Sequence, residues 1–253
     1  MSVPKARSVG VILAAGEARR SGYLGGILPK TLIPVAGRPL VWYCLKSLAR
    51  LGSSEVIVAG RADGGILRRY LDSLDPRSVG LKRVVLHEFV VPTKSPISTL
   101  DQAIASNDEP VAVALGDDFT VSPDLETFRN QFVRSSMDVA QAVVVDRDPA
   151  AIRRACELSV NTSRQIVSIR EKPRVATSRL RGCGLYLFKP GAYRAIRRSM
   201  RRDFGRLSMS DIVAVAVESG RAMGYRIRGV NVNMNTIDDV LRAWRSVRGT
   251  GRL

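Results

Sequence analysis

Histidine is almost missing from this chain: His87 is the only one in 253 residues. Cysteine is scarce too, with Cys44, Cys156 and Cys183 far apart and in no C-x-x-C pair. These two shortages nearly exclude a Cys/His zinc centre, and they leave a Ser-His-Asp triad only His87 to use. An odd number of widely spaced thiols offers no disulfide framework and suits a reducing cytoplasm. No apolar run reaches the roughly 18 residues that a membrane-spanning helix needs. The N-terminal apolar stretch is short and runs into Gly16-Glu17-Ala18-Arg19-Arg20, which is no secretory cleavage pattern. Residues 1–8 are expected to form a flexible basic N-terminus. Aromatic residues make up only 6% of the chain, too few to suggest a base-stacking platform.

Enough apolar residues are present for a globular protein, at 45%. A chain of this length buries about 70–75% of its unfolded surface and needs no covalent staples. The charge is one-sided. Forty Lys and Arg face 23 Asp and Glu, a net +17, and only seven of the forty are lysine. Such a surplus raises nucleic acid, membrane surface or phosphorylated small molecules as partners. The arginines are scattered rather than gathered into a stripe, so we expect no nucleic-acid and no membrane partner.

Patterning predicts an α/β fold. Val9–Leu13 reads as a buried strand ending in Ala14-Ala15-Gly16, followed by a polar, Gly-rich loop from Glu17 to Leu28. Pro39 opens a helix with an apolar stripe at Val41, Cys44, Leu45 and Leu48, and Gly52 stops it. Strands are predicted over Glu55–Gly60, Leu81–Val90 and Val111–Leu115, with helices over Gly64–Leu74 and Ser98–Ser106 between them. This alternation is the signature of a mostly parallel sheet flanked by helices, whose ligands lie beyond the carboxyl ends of the strands. The rhythm then changes. Asp138–Val145 and Cys183–Phe188 read as strands. Cys156–Val160 and Gln165–Ile169 read as a hairpin about Asn161-Thr162-Ser163-Arg164. Helices are expected near Gly191–Met200 and Ser210–Ser219, and one late strand over Tyr225–Val232. Thr236-x-x-Asp239 resembles a capping box that opens a last helix running to Val247. The expectation is one domain over residues 1–253, a Rossmann-like mixed sheet with a small antiparallel insertion.

One loop stands out chemically. Leu13-Ala14-Ala15-Gly16 ends a strand, Arg20 follows, and Pro29-Lys30 lies across the loop. A glycine there lets backbone N–H groups approach a phosphate, and two cations could neutralise a triphosphate. It is neither G-x-G-x-x-G nor a Walker loop, and a plain strand–loop–helix junction with surface cations has the same composition.

The segment Leu13–Leu40 resembles the signature of the sugar-1-phosphate nucleotidyltransferase family, of which glucose-1-phosphate thymidylyltransferase is the best-known type. The family reads L-A-A-G-x-G-T-R, a fixed gap, then P-K-x-L-x-P-V-x-G-x-P-L. This chain has LAAGEARR, the same gap, and PKTLIPVAGRPL. Further along, Leu115-Gly116-Asp117-Asp118 resembles L-G-D-N. Glu171-Lys172-Pro173 with Gly184–Phe188 resembles E-K-P and G-x-Y-x-F. Asn233 before Thr236-Ile237-Asp238-Asp239 resembles the second metal-ligand segment.

The resemblance implies a nucleotide-diphospho-sugar transferase fold and a Mg²⁺-dependent reaction. A nucleoside triphosphate and a sugar-1-phosphate give a nucleotide sugar and pyrophosphate. The attacking phosphate oxygen is already anionic, so no general base is needed; the burden is charge neutralisation. By resemblance, Arg20, Lys30 and Asp117 carry catalysis. Leu13, Ala14, Ala15, Gly16 and Gly116, with Arg20 and Lys30, bind the nucleotide. Asp117 and Asn233 (Asn231 being its nearest rival) hold Mg²⁺. Glu171, Lys172 and Cys156 meet the acceptor. Asp118 stands at the family's Asn position and is expected to support the site rather than ligate. Relatives of this kind are commonly homo-oligomers.

Departures fall in the triphosphate loop and at base and acceptor recognition. Ala18 and Arg19 replace Gly and Thr, Ser98-Thr99 replaces a Gly-led helix start, and Cys156 replaces a Gly beside the sugar. Thr93 falls near the place where thymidylyltransferases use Gln for the base. A cytidylyltransferase for a non-sugar phosphorylated alcohol, or a weakened regulatory homologue, would carry the same phosphate loop.

Overall fold

Every second residue of the first strand faces a different layer, and this alternation organises the molecule. The computed structural model describes residues 8–15, 28–61, 65–89, 95–104, 109–200 and 207–248. Strand β1 (Ser8–Ala14) is flanked by β4 (Ser53–Arg61) and β6 (Val111–Leu115), both parallel to it. Ile12, with Val56, Val58, Ala112 and Ala114, faces one core; Val11 and Leu13, with Ala59 and Val113, face the other. A short β2–β3 hairpin (Pro34–Val35, Arg38–Pro39) leads into helix α1 (Leu40–Arg50), which fills the first core with Val41, Cys44, Leu45 and Leu48. Helix α2 (Ile66–Ser73) packs Leu67 and Leu71 on the same side. Strand β5 (Arg83–Phe89) closes the edge beside β4, and α3 (Pro96–Ile104) covers the second face.

Beyond β6 the chain makes β7 (Asp118–Val121) and α4 (Leu125–Arg134), neither of which the sequence reading anticipated. Then come β8 (Val139–Val145), the short α5 (Pro149–Arg153), β9 (Cys156–Val160), β10 (Ile166–Glu171) and β11 (Leu180–Phe188). The expected hairpin forms between β9 and β10. Asn161 Oδ1 accepts from the N–H groups of Ser163 (3.0 Å) and Gln165 (2.9 Å) in its turn. Helices α6 (Ala192–Ser199) and α7 (Met209–Glu218) follow, both packed in the second core. The nine-stranded sheet runs β10-β9-β11-β6-β1-β4-β5, with β8 paired to β11 and to β12 (Ala222–Arg226). The mixed α/β class is therefore as expected, with β9, β10 and β11 as the antiparallel part.

The late strand is not continuous. It breaks into β12, parallel to β8, and β13 (Val230–Asn233), antiparallel to β7 in a separate two-stranded ribbon. At the break, buried Asp124 accepts the Arg228 N–H at 3.1 and 3.2 Å, just after the Ile227 N–H makes a last bond to Val143 O on β8. Gly229 then takes φ +110°, where a Cβ would sit 2.2 Å from the Val121 carbonyl oxygen. The last helix α8 (Ile237–Arg248) is opened by the expected box, with Asp239 Oδ2 accepting from the Thr236 N–H at 2.9 Å. Ser8 belongs to β1; the rest of the expected basic N-terminus lies outside the described residues.

Candidate functional site

β1 and β6 run parallel and end together, so their carboxyl ends form one rim. The Gly116 N–H donates to Leu13 O at 2.9 Å. A Cβ on Gly116 would lie 2.8 Å from Thr31 Cγ2 and 2.9 Å from that carbonyl oxygen. Only glycine lets the β6 end, the β1 end and the Lys30 turn meet this closely. Leu13 and Ala15 are buried and Ala14 half-buried at this junction. Gly16 and Arg20, together with Ala18, Arg19 and Thr93, lie outside the described residues.

Lys30 stands on a single 3₁₀ turn, Lys30–Leu32, fixed by buried Thr31 and Leu32. Its Nζ donates to Asn235 Oδ1 at 3.2 Å and lies 3.7 Å from Asp117 Oδ2. Asp117 follows β6 after Gly116, and its carbonyl accepts the Met234 N–H at 2.8 Å. That bond lays the Asn233–Asn235 stretch against it. The Asn235 amide donates to Asn233 Oδ1, and its own N–H reaches Asp239 Oδ2 at 3.1 Å. Lys30, Asp117 and Asn233, far apart in sequence, thus share one cluster. Asn235 joins them and was missed by the sequence reading; its only signal was its place in the Asn231–Asn235 run beside the expected ligand.

Asn231, the rival of Asn233, is occupied elsewhere. Its Nδ2 donates to Asp118 Oδ2 (3.0 Å) and Thr120 Oγ1 (2.8 Å), and its Oδ1 accepts from Arg181 Nη1 (2.7 Å). Asp118 itself is 6% exposed. Burial pushes its carboxyl up to about 6, against the opposing pull of Arg181, Asn231 and the Gly184 N–H.

The second group of expected residues lies at the β9–β10 edge. Glu171 pairs with Cys156 across the ladder. Its Oε2 accepts from Ser210 Oγ at 2.8 Å, and its Oε1 lies 3.5 Å from Lys172 Nζ. Ser210, in the first turn of α7, is a further addition to the site that has no local sequence signal. Lys172 takes φ 43° and donates its N–H to Ala155 O at 2.8 Å, with its ammonium exposed. Cys156 is buried. Its Sγ accepts from Gln141 Nε2 at 3.3 Å, and the residue is 5% exposed, so the thiol is not on the open surface. Burial also raises the Cys156 thiol pKa.

A depression borders the first group at Asn233 and Asn235. Its lining also includes Arg154, Ala155, Arg242 and buried Arg181. One carboxylate, two amides and Lys30 on a shared rim can grip a polyphosphate and share a hard cation with it. Among the described residues, no three His, Cys, Asp or Glu side chains converge into a protein-only metal cage.

The nucleotidyl transferase family model matches residues 9–247. The chain belongs to that family. Glucose-1-phosphate thymidylyltransferase of Streptomyces griseus is 26% identical over 246 residues, 95% of this chain and 66% of that protein. UTP–glucose-1-phosphate uridylyltransferase AglF of Haloferax volcanii is 26% identical over 232 residues, 90% of this chain and 92% of its own length. Among solved structures, a UDP-glucose pyrophosphorylase complexed with UDP-glucose superposes with a TM-score of 0.80 at 16% identity. That match covers 96% of this chain and 99% of the other. This nucleotidyl transferase therefore shares its relatives' fold across nearly its whole length, and no described helix is long and apolar enough to cross a membrane.

Proposed function

We propose that this nucleotidyl transferase joins a nucleoside triphosphate to a glucose-1-phosphate-like sugar phosphate, with Mg²⁺, as a single cytoplasmic domain. The observation that carries the reading is the convergence of Lys30, Asp117, Asn233 and Asn235 at the shared ends of β1 and β6. An acceptor phosphate oxygen forms a bond to the α-phosphorus. The bond from that phosphorus to the bridging oxygen breaks, and pyrophosphate leaves with the electron pair. Lys30 and Arg20 grip the triphosphate and steady the leaving charge. Asp117 and Asn233 present hard oxygens that fit Mg²⁺, which would supply neutralisation of the triphosphate and the departing pyrophosphate. Glu171, already set to accept from Ser210, takes hydrogen bonds from sugar hydroxyls, and exposed Lys172 meets the acceptor phosphate. No step needs a proton taken by a side chain, which agrees with His87 lying exposed on edge strand β5, stacked on Phe89. Three free, buried thiols suit a reducing compartment.

The test is a pyrophosphate-release screen of the common nucleoside triphosphates against phosphorylated acceptors, with and without Mg²⁺. Turnover with a thymidine or uridine triphosphate and a hexose-1-phosphate, lost when Mg²⁺ is removed, is the expected result. Turnover only with a cytidine triphosphate and a non-sugar phosphorylated alcohol would replace the acceptor assignment. Absence of turnover with every pair would favour a regulatory role.

A further inference from the structure

The β7–β13 ribbon carries the candidate site at both ends, because Asp117 immediately precedes β7 and Asn233 closes β13. It forms a sheet of its own and shares no ladder with the nine-stranded sheet. On one side it leans on α1, where Ser47 Oγ donates to Thr120 O at 3.4 Å. On the other side its attachment runs through side chains. The Gly184 N–H on β11 donates to Asp118 Oδ2. Arg181, also on β11, sends Nη1 to Asn231 Oδ1 at 2.7 Å and Nη2 to Asn231 O at 3.1 Å, while its Nε holds Asp146 Oδ2 at 2.8 Å. Asn231 in turn donates to Asp118 Oδ2 at 3.0 Å. Arg181 is 5% exposed and Asp118 6%. Among the described residues, Arg181 has Asp146 as its direct counter-ion and meets Asp118 only through the Asn231 amide, while Asp118 Oδ1 is buried without a hydrogen-bond partner. A carboxylate so placed is costly to desolvate and leans on the nearby guanidinium charge.

We propose that Arg181 and Asp118, bridged by the Asn231 amide, form a positioning pair that docks the ribbon on β11 and so fixes where Asp117 and Asn233 present their oxygens. Neither residue touches substrate; each acts through the ribbon. The activity part of the proposal rests on the reading of Asp117 and Asn233 given above, and the docking part does not.

The test compares parent, Arg181→Met, Asp118→Asn and the double variant by hydrogen exchange of the folded proteins and by steady-state pyrophosphate release. In Arg181→Met, exchange should rise in 117–121 and 230–235 and stay at the parent level in β4. Its kcat should fall about 10–100-fold, the range for residues that orient metal ligands, with acceptor KM changed much less. The double variant removes both charges, and its rise in exchange and its loss of kcat should be smaller than the combined effects of the two single substitutions. Unchanged ribbon exchange in Arg181→Met, or effects of the two substitutions that simply multiply, would overturn the pair. If Arg181→Met does not fold, a folded double variant supports the pair, and an unfolded double variant counts against it. If the parent releases no pyrophosphate with any substrate, the functional reading fails while ribbon exchange still decides the docking.

Discussion

The rim proposed to meet the triphosphate and the edge proposed to meet the acceptor are built differently. At the rim, Lys30 stands on a rigid turn and its side chain is 14% exposed, in reach of two partners delivered by the ends of β6 and β13. At the edge, Lys172 is 55% exposed and Glu171 37%, on a hairpin at the sheet's margin, steadied mainly by Ser210. The rim handles a charge that every triphosphate carries, so its groups can be fixed in advance. The edge meets the part of the reaction that varies between relatives, and solvated side chains on a hairpin can change there at little cost to the fold.

Several substitutions would break or sharpen this contrast. Asp117→Ala should have the largest effect, a loss of about 10²–10³-fold or more in kcat, the scale for losing one preorganised charge-stabilising group. Pyrophosphate release at limiting Mg²⁺ reads it, and a parent-like rate would remove Asp117 from the metal assignment. Lys30→Ala should lose about 1.5–3 kcal/mol of charge-assisted contact, roughly 10–150-fold in kcat/KM for the nucleotide. Lys172→Ala should act on the other side only. Acceptor KM should rise by about tenfold, the low end of a solvated charge-assisted bond, with nucleotide KM unchanged. Equal rises in both KM values would merge the two regions into one.

A smaller effect concerns how the edge is supported. Glu157 on β9 is 2% exposed. Burial alone would raise its carboxyl, but the Ser178 and Thr177 N–H groups and Arg170 more than offset this and hold it below its ordinary 4.5. A depressed carboxylate contributes stability above its unfolded pKa and loses it as pH falls through the folded value. Glu157→Gln should therefore cost about 1.5–3 kcal/mol near neutral pH and leave a flatter stability profile below about pH 4.5. Thermal unfolding across that window checks it; parallel profiles for parent and variant would show that Glu157 is not ionised differently on folding. The smallest effect is His87→Gln, whose turnover should match the parent. A large loss with an unchanged melting curve would overturn a mechanism that uses no general base.

Much of this was legible in the sequence because period and punctuation agreed. The β1 run, the α1 stripe and the Asn161 turn fall where patterning puts them, within a residue or two. The late strand differs from the expectation because the alternation of Tyr225 and Ile227 slips by one residue at Gly229 before Val230 and Val232, a local signal of the break, while the Asp124 carboxylate that holds Arg228 there comes from about a hundred residues earlier. β7 is four residues long, too short for a period. Helix α4 carries a helical spacing in Leu125, Phe128 and Phe132, buried together, that the reading did not use. In the candidate site, motif spacing singled out Lys30, Asp117 and Asn233, which the fold brings together. Asn235, Ser210 and Arg181 matter through contacts across 205, 39 and 50 residues, which no local pattern encodes.

The central claim is that Lys30 and Asp117 form one triphosphate site at the joined ends of β1 and β6. Calorimetric titration of a nucleoside triphosphate with Mg²⁺ into parent, Lys30→Ala and Asp117→Ala, with no acceptor present, tests it without reliance on turnover. The account predicts saturable binding to the parent, about 10–150-fold weaker binding to Lys30→Ala from the lost charge-assisted contact, and loss of the Mg²⁺-dependent part of the affinity in Asp117→Ala. Equal affinity and equal Mg²⁺ dependence in all three folded proteins would contradict it.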